Sequence, residues 1–460
     1  MTVDTTIAGG TLVTPDQTFE ASLAIDGEKI VAVGDEETLP EADERIDAEG
    51  KLVMPGMVDP HVHIDEVPEN RGGTYEAETA AAALGGVTTI IDFAFQGGDR
   101  RIADESKDLL DGIEHKKTKG NDGYVDFSVH GVLFRETPET FEEIEPAIDA
   151  GVTSFKMFMS TYEVGVSNGF IGEAFEHIAA HDAVAALHTE DPSVCEALAA
   201  RLKREGKGDP VHYPDSRPDY AEAIGAATAL RLAEETGVKY YGVHTSCRKA
   251  AEVIESFSDG GERIRAETCV HYTALDRSVH ERLGNFPLIA PPIRTQDDID
   301  AMFEYIHNGT LSIVSTDHSV YHREYKEVEN WWDSPFGAQS LQRSLPVFHT
   351  EAVVERDLSY PTLVRLMSAN PAETFGMPQK GSLDPGTDAD VILFDPDGTE
   401  TIDASTNASN SEFTIYDGYE AVGTVEKTFV RGTLVADDGE LVADPGHGEF
   451  LERELPEWSA

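Results

Sequence analysis

The chain is poor in cysteine, in basic residues and in long apolar runs. Three cysteines in 460 residues cannot staple a fold, so a disulfide scaffold is excluded and a reducing compartment is expected. Lysine and arginine number 35 against 87 aspartates and glutamates, a formal net charge of −52. A surface of that sign repels phosphate backbones and anionic lipid, so nucleic-acid and membrane-surface partners are disfavoured. No apolar stretch approaches the ~20 residues of a membrane span. The opening residues, MTVDTTIAGGTLVTP, show neither a basic start nor a long apolar stretch. The expectation is a soluble, cytoplasmic protein. No segment recurs at a fixed period, which speaks against a solenoid.

What is present fits a large packed fold. Apolar residues make up 40% of the chain, enough to build a core despite the charge. Acidic residues are spread along the whole length and not gathered in a tail. Their mutual repulsion destabilises a compact state in dilute buffer and is relieved by screening, which points to a salt-rich, halophilic setting.

Short apolar, β-branched runs alternate with helical segments. The runs cover 52–64, 88–96, 125–134, 154–159, 183–190, 239–246, 263–272 and 311–319, eight strand candidates in all. Helices are expected at 75–86, at 137–151 after a threonine cap, and at 217–237, each stopping at glycine. Near-continuous apolar strands alternating with helices imply a parallel sheet, and eight such units imply an α/β fold, a (β/α)8 TIM-like barrel. The flanks differ: residues 1–55 and 380–436 read as short strands joined by turns. The expected organisation is a barrel at 56–374 beside a small β-sandwich domain made from both termini, 1–55 and 375–460 with the tail.

Barrel active sites lie at the C-terminal ends of the strands. His61 and His63 stand two apart, so on a strand both imidazoles face one way. Lys156 sits inside an apolar run, while His188, His244 and Asp317 fall at the ends of three later runs. A single histidine at a strand end is commonly a polar boundary residue. The conjunction of an HxH pair with donor types on four other strands is what suggests a metal centre, since imidazole and carboxylate suit zinc-like ions. Such ions acidify bound water to a pKa of ~7, and a pair ~3.5–4 Å apart can share it. An ordinary ammonium cannot bridge two cations, so Lys156 is either modified or no ligand.

These motifs resemble the cyclic amidohydrolases, most closely the dihydropyrimidinase/hydantoinase branch, and the resemblance runs over nearly the whole chain. It is carried by MPGMVDPHVH (54–63), GGVTTIIDFAFQ (85–96), SFKMFM (154–159), LHTED (187–191), VHTS (243–246), ETC (267–269), APPIR (290–294) and TDHS (316–319). ANPAETFG (369–376), KGSLDPGTDADVILFDPD (380–397) and PGHGEFLER (445–453) extend it to the C-terminus. The resemblance implies two divalent metal ions, usually zinc, and hydrolysis of a small cyclic amide or imide by a metal-bridged hydroxide. His61 and His63 would bind one ion, His188 and His244 the other, and carboxylated Lys156 would bridge them. Asp317 would bind the first ion and shuttle the proton. A homo-oligomer, dimer or tetramer, is implied as well.

Substrate contacts follow the same resemblance with departures. The branch places an oxyanion-binding tyrosine five residues after the lysine. Here Thr161 holds that position and Tyr162 follows it, so Tyr162 is assigned through a one-residue insertion. The family's Ser-Pro-Pro turn reads Ala290-Pro291-Pro292, and its Asn-Gly pair reads Phe336-Gly337. Main-chain contacts at Ala290 and Gly337 could survive, but the pocket differs. FGAQSLQ also resembles allantoinases, the alternative reading. Dihydroorotase is disfavoured, because Ile64, Asp65 and Glu66 follow HVH where an arginine would meet a carboxylate. A non-catalytic assembly protein of the same fold is disfavoured because all six ligand positions are kept. Cys195 and Cys247 have no spaced partners and read as structural, and Cys269, in the seventh strand, is expected to be buried.

Overall fold

The computed structural model describes residues 2–64, 73–98, 107–161, 163–258 and 263–458. Eight strands form one parallel sheet in sequence order: Met57–Asp59, Val87–Phe95, Asp126–Val132, Ser154–Met159, Val184–Thr189, Lys239–Gly242, Ile264–Cys269 and Ile313–Ser315. Each falls within one of the expected runs or overlaps it closely. Several are buried along their whole length, as strands are when helices cover the outside and packed side chains the inside.

The barrel does not close by a ladder between its first and eighth strands among the described residues. Closure comes at the mouth, where Val62–His63 pairs in parallel with His318–Ser319. Below that seam, the Thr316 hydroxyl donates to Asp59. The run 52–64 therefore splits into three short strands, broken at Gly56 and Pro60. Gly56 has no room for a side chain: a Cβ there would stand 2.1 Å from the Thr88 hydroxyl.

The helices follow local signals. Helix Tyr75–Leu84 is capped by Thr74, whose side chain accepts from the Ala77 amide, and ends at Gly85. Helix Asp219–Thr236 ends at Gly237, in the left-handed conformation glycine favours. The helix expected at 137–151 is instead two pieces, Glu139–Glu142 and Ile144–Asp149. Pro146 explains the break, since its ring opposes the carbonyl four residues earlier, at Glu142.

Both termini build a second, nine-stranded mixed sheet. Its halves meet where Val391–Thr401, from the C-terminal part, pairs antiparallel with Leu52–Pro55. A separate core of Ile7, Leu23, Ile25, Val391 and Phe429, among others, fills this sheet. The tail then leaves it and runs across the barrel floor. There the buried Arg453 donates to the Ser128 and Ser154 hydroxyls and to the Val129 carbonyl.

Candidate active site

The mouth of the barrel holds a cavity of about 220 Å³ lined by His61, His63, His188, His244, Asp317 and Phe158, with Ala290, Ser319, Phe336 and Gly337 at its sides. A larger cleft, about 470 Å³, opens near the starts of the last two strands, beside Arg265 and Asn370, and among the described residues no histidine lines it. The chemistry is therefore at the strand ends, the usual place in a barrel.

Three donors meet on one side. His61 Nε2 and His63 Nε2 lie 3.3 and 3.2 Å from Asp317 Oδ1, and one donor atom from each of the three residues fits within 4.8 Å. On the other side His188 Nδ1 and His244 Nε2 stand 2.9 Å apart. The His61 and His244 rings, at 5.2 Å between centroids, join the two halves. Lys156 is fully buried, its Nζ 5.4 Å from the Phe93 ring centroid and 5.1 Å from that of Phe158. Phe93 in turn stacks on His63 at 4.5 Å and meets His61 edge-on. Two donors sit on a backbone that side chains rarely adopt, with φ of 39° at His244 and 48° at Asp317. Strain of this kind survives only where the surroundings impose it, and it concentrates at functional sites.

Buried carboxylates hold the imidazoles in place. Glu267 accepts from His61 Nδ1 (2.5 Å), the Tyr241 hydroxyl (2.6 Å) and the His244 amide (3.0 Å). Glu190 accepts from His188 Nε2 (3.0 Å) and pairs with Arg217, whose other nitrogen reaches the Thr161 hydroxyl. Committing one ring nitrogen to a carboxylate leaves the other with its lone pair toward the site. Burial is the largest influence and would raise the Glu190 carboxyl, but the Arg217 guanidinium, the bond from His188 and the charge of Arg294 together outweigh it and hold the group at about 2.

The protonation states suit cation binding. Burial lowers the basicity of His61, His188 and His244, and the charge of Lys156 lowers all three further. Burial acts to raise the Asp317 carboxyl, yet His61 and His63 hold it well below the usual carboxylate range. Neutral imidazoles and an ionised carboxylate are the forms that ligate metals. Among the described residues, buried His61 Nε2 and His244 Nδ1 have no hydrogen-bond partner. The donor set thus fits divalent cations.

The residues singled out in the sequence come together with one exception: Tyr162 lies outside the described residues, as do Asp65 and Glu66. His318, beside Asp317, is an anchor, bonded to Glu78 at 2.8 Å and to the amides of Ser340 and Leu341. Sequence reasoning passed over Glu190 as a histidine support, although it stands only two residues from His188, just past the end of that strand. It also passed over His271, buried with neither ring nitrogen bonded among the described residues. The three cysteines are buried and free.

A parallel barrel whose strand ends gather imidazoles and a carboxylate around one small cavity defines a barrel enzyme with a potential metal site. The comparisons with known proteins agree. The model of the amidohydrolase family matches residues 52–435. An L-hydantoinase of Paenarthrobacter aurescens is 34% identical over 451 residues, 96% of each chain. An allantoinase of Salmonella choleraesuis is 30% identical over 460 residues, 98% of this chain and 99% of its own. The crystal structure of a dihydropyrimidinase from Brevibacillus agri superposes with a TM-score of 0.93 at 28% identity, covering 98% of this chain and 99% of the other. The chain belongs to the amidohydrolase family, on its hydantoinase/dihydropyrimidinase branch of cyclic amidohydrolases.

Proposed function

We propose that the protein opens a small cyclic amide or imide ring, of the hydantoin or dihydropyrimidine kind, by metal-dependent hydrolysis of a C–N bond. The convergence of His61, His63 and Asp317 on one point, opposite His188 and His244, carries this reading. His61, His63 and Asp317 would hold one divalent ion, zinc by preference for this donor set, and His188 and His244 a second. Bound there, the pair supplies Lewis acidity and acidified water. Lys156, carboxylated on Nζ, would serve both ions. Its present charge opposes cations beside it, whereas a carbamate reverses that sign.

The chain's own groups do the rest. Asp317 stays ionised and can take a proton from the attacking water. One water is consumed: its oxygen joins the carbonyl carbon, the ring C–N bond breaks, and the proton passes to the leaving nitrogen. Tyr162, or Thr161 beside it, is the candidate oxyanion donor, and main-chain groups at Ala290 and Gly337 are the candidate ring contacts. Phe158, Pro335 and Phe336 give the cavity an apolar wall suited to a ring substituent. An allantoinase is the alternative, supported by the Salmonella relative. The test is a profile over dihydrouracil, 5-substituted hydantoins, allantoin and dihydroorotate. Turnover of hydantoins or dihydrouracil is expected, allantoin as preferred substrate selects the alternative, and cleavage of none rejects the proposal.

The setting follows from composition. We place the enzyme in a reducing, salt-rich cytoplasm, as a homo-oligomer (dimer or tetramer), with residues 1–55 and 375–460 forming the unit beside the barrel. The charge of −52 makes the salt dependence measurable. Moving from molar potassium chloride to about 0.1 M, where the screening length reaches ~10 Å, should lower the melting temperature and reduce activity. An unchanged melting curve would remove the halophilic reading.

A further inference from the structure

Serine hydroxyls buried in this fold are generally spent on a neighbouring carbonyl. Ser216 donates to Tyr213, Ser340 to Thr316 and Ser344 to Leu341. Ser312 and Ser319 break the pattern, and of the two it is Ser319 that lines the cavity of the candidate active site. It is 3% exposed, and its Oγ has no hydrogen-bond partner among the described residues. An unbonded buried hydroxyl is unfavourable, so its retention needs a reason.

Its position supplies one. Ser319 lines the same cavity as His61, His63 and Asp317. It belongs to the two-residue strand that closes the barrel, in register with His63, and its amide is fixed by the Ala338 carbonyl at 3.0 Å. The main chain is held while the hydroxyl keeps its capacity. Gly337 packs directly against this side chain and leaves no room for one of its own: a Cβ there would stand 2.5 Å from Ser319 Oγ, and its φ of +141° favours glycine in any case. Ser334, the other serine of this lining, already donates to the Pro335 carbonyl at 3.3 Å.

We propose that the Ser319 hydroxyl binds the substrate, hydrogen-bonding the polar edge of the ring, an amide N–H or C=O, beside the reacting carbonyl. This rests on the ring-opening activity proposed above. A hydroxyl both donates and accepts, so it can meet either group of a cyclic amide. The side chains nearest the reacting groups would then hold the ring itself, while Phe158 and Phe336 would meet its substituent.

The experiment uses the full-length, metal-loaded enzyme and whichever ring of the panel the wild type cleaves best. Ser319→Ala should lower kcat/KM about tenfold, mainly through KM, because it deletes one buried hydrogen bond to the ring. Metal content and melting temperature should stay at wild-type values. Ser319→Cys, which keeps an atom at the γ position but bonds weakly, should lose activity in the same direction. If either well-folded variant retains kcat/KM within twofold of wild type, or if the loss follows loss of metal, this inference is overturned while the hydrolytic reading stands. A wild type that cleaves no ring overturns both.

Discussion

Lys156→Ala should cost the enzyme its turnover and its metal together. The side chain is fully buried beneath the imidazoles, against Phe93 and Phe158, where truncation cannot be compensated from solvent. Its ammonium lowers the basicity of His61, His188 and His244, so it lies close enough to influence all three. If the group is carboxylated and shared between two ions, its loss removes a ligand from both. The expected fall in kcat is roughly 10³-fold or more, the scale of deleting a central electrostatic element of an active site. Elemental analysis should read about two ions per wild-type chain and far fewer in the variant. Lys156→Met, closer in volume, separates this from a packing defect. Full activity with normal metal content in either variant would end the bridging role.

Asp317→Asn is the second large loss. The carboxylate touches both His61 and His63 and is held ionised by them. Asparagine keeps the shape and removes the ability to carry a proton. A drop in kcat of roughly 10²–10⁴-fold is expected, the usual worth of a positioned acid–base group. Ring binding, read separately by calorimetry on the variant, should weaken far less than kcat falls. Loss of binding with kcat preserved would assign Asp317 to substrate capture and leave the shuttle without a residue.

The barrel was legible because its strands are apolar on both faces and announce themselves as continuous runs. The mouth was legible for a related reason: His188, His244 and Asp317 interrupt such runs at their ends, and strand ends in a barrel share one rim. The supports were harder to read. Nothing local to Glu267 says that His61, some two hundred residues earlier, will donate to it, since that pairing depends on how non-adjacent strands face one another across the barrel. Ser319 is harder still, because a hydroxyl counts as unspent only once Gly337 and Ala338 are known to lie beside it. Pro146 is the opposite case. It was in plain view, and its steric effect on the turn before it was enough to divide the helix expected at 137–151.

The seam between the first and last strands has a consequence for how the fold and the site depend on each other. Among the described residues, a two-residue ladder, the Thr316–Asp59 bond and the contacts of Asp317 with His61 and His63 span it. His61 and His63 stand on one bank and Asp317 on the other. A cation gripped by that trio would act as a rivet through the joint, so loading the enzyme and locking its cylinder become a single event, and the apo form should loosen first along that line.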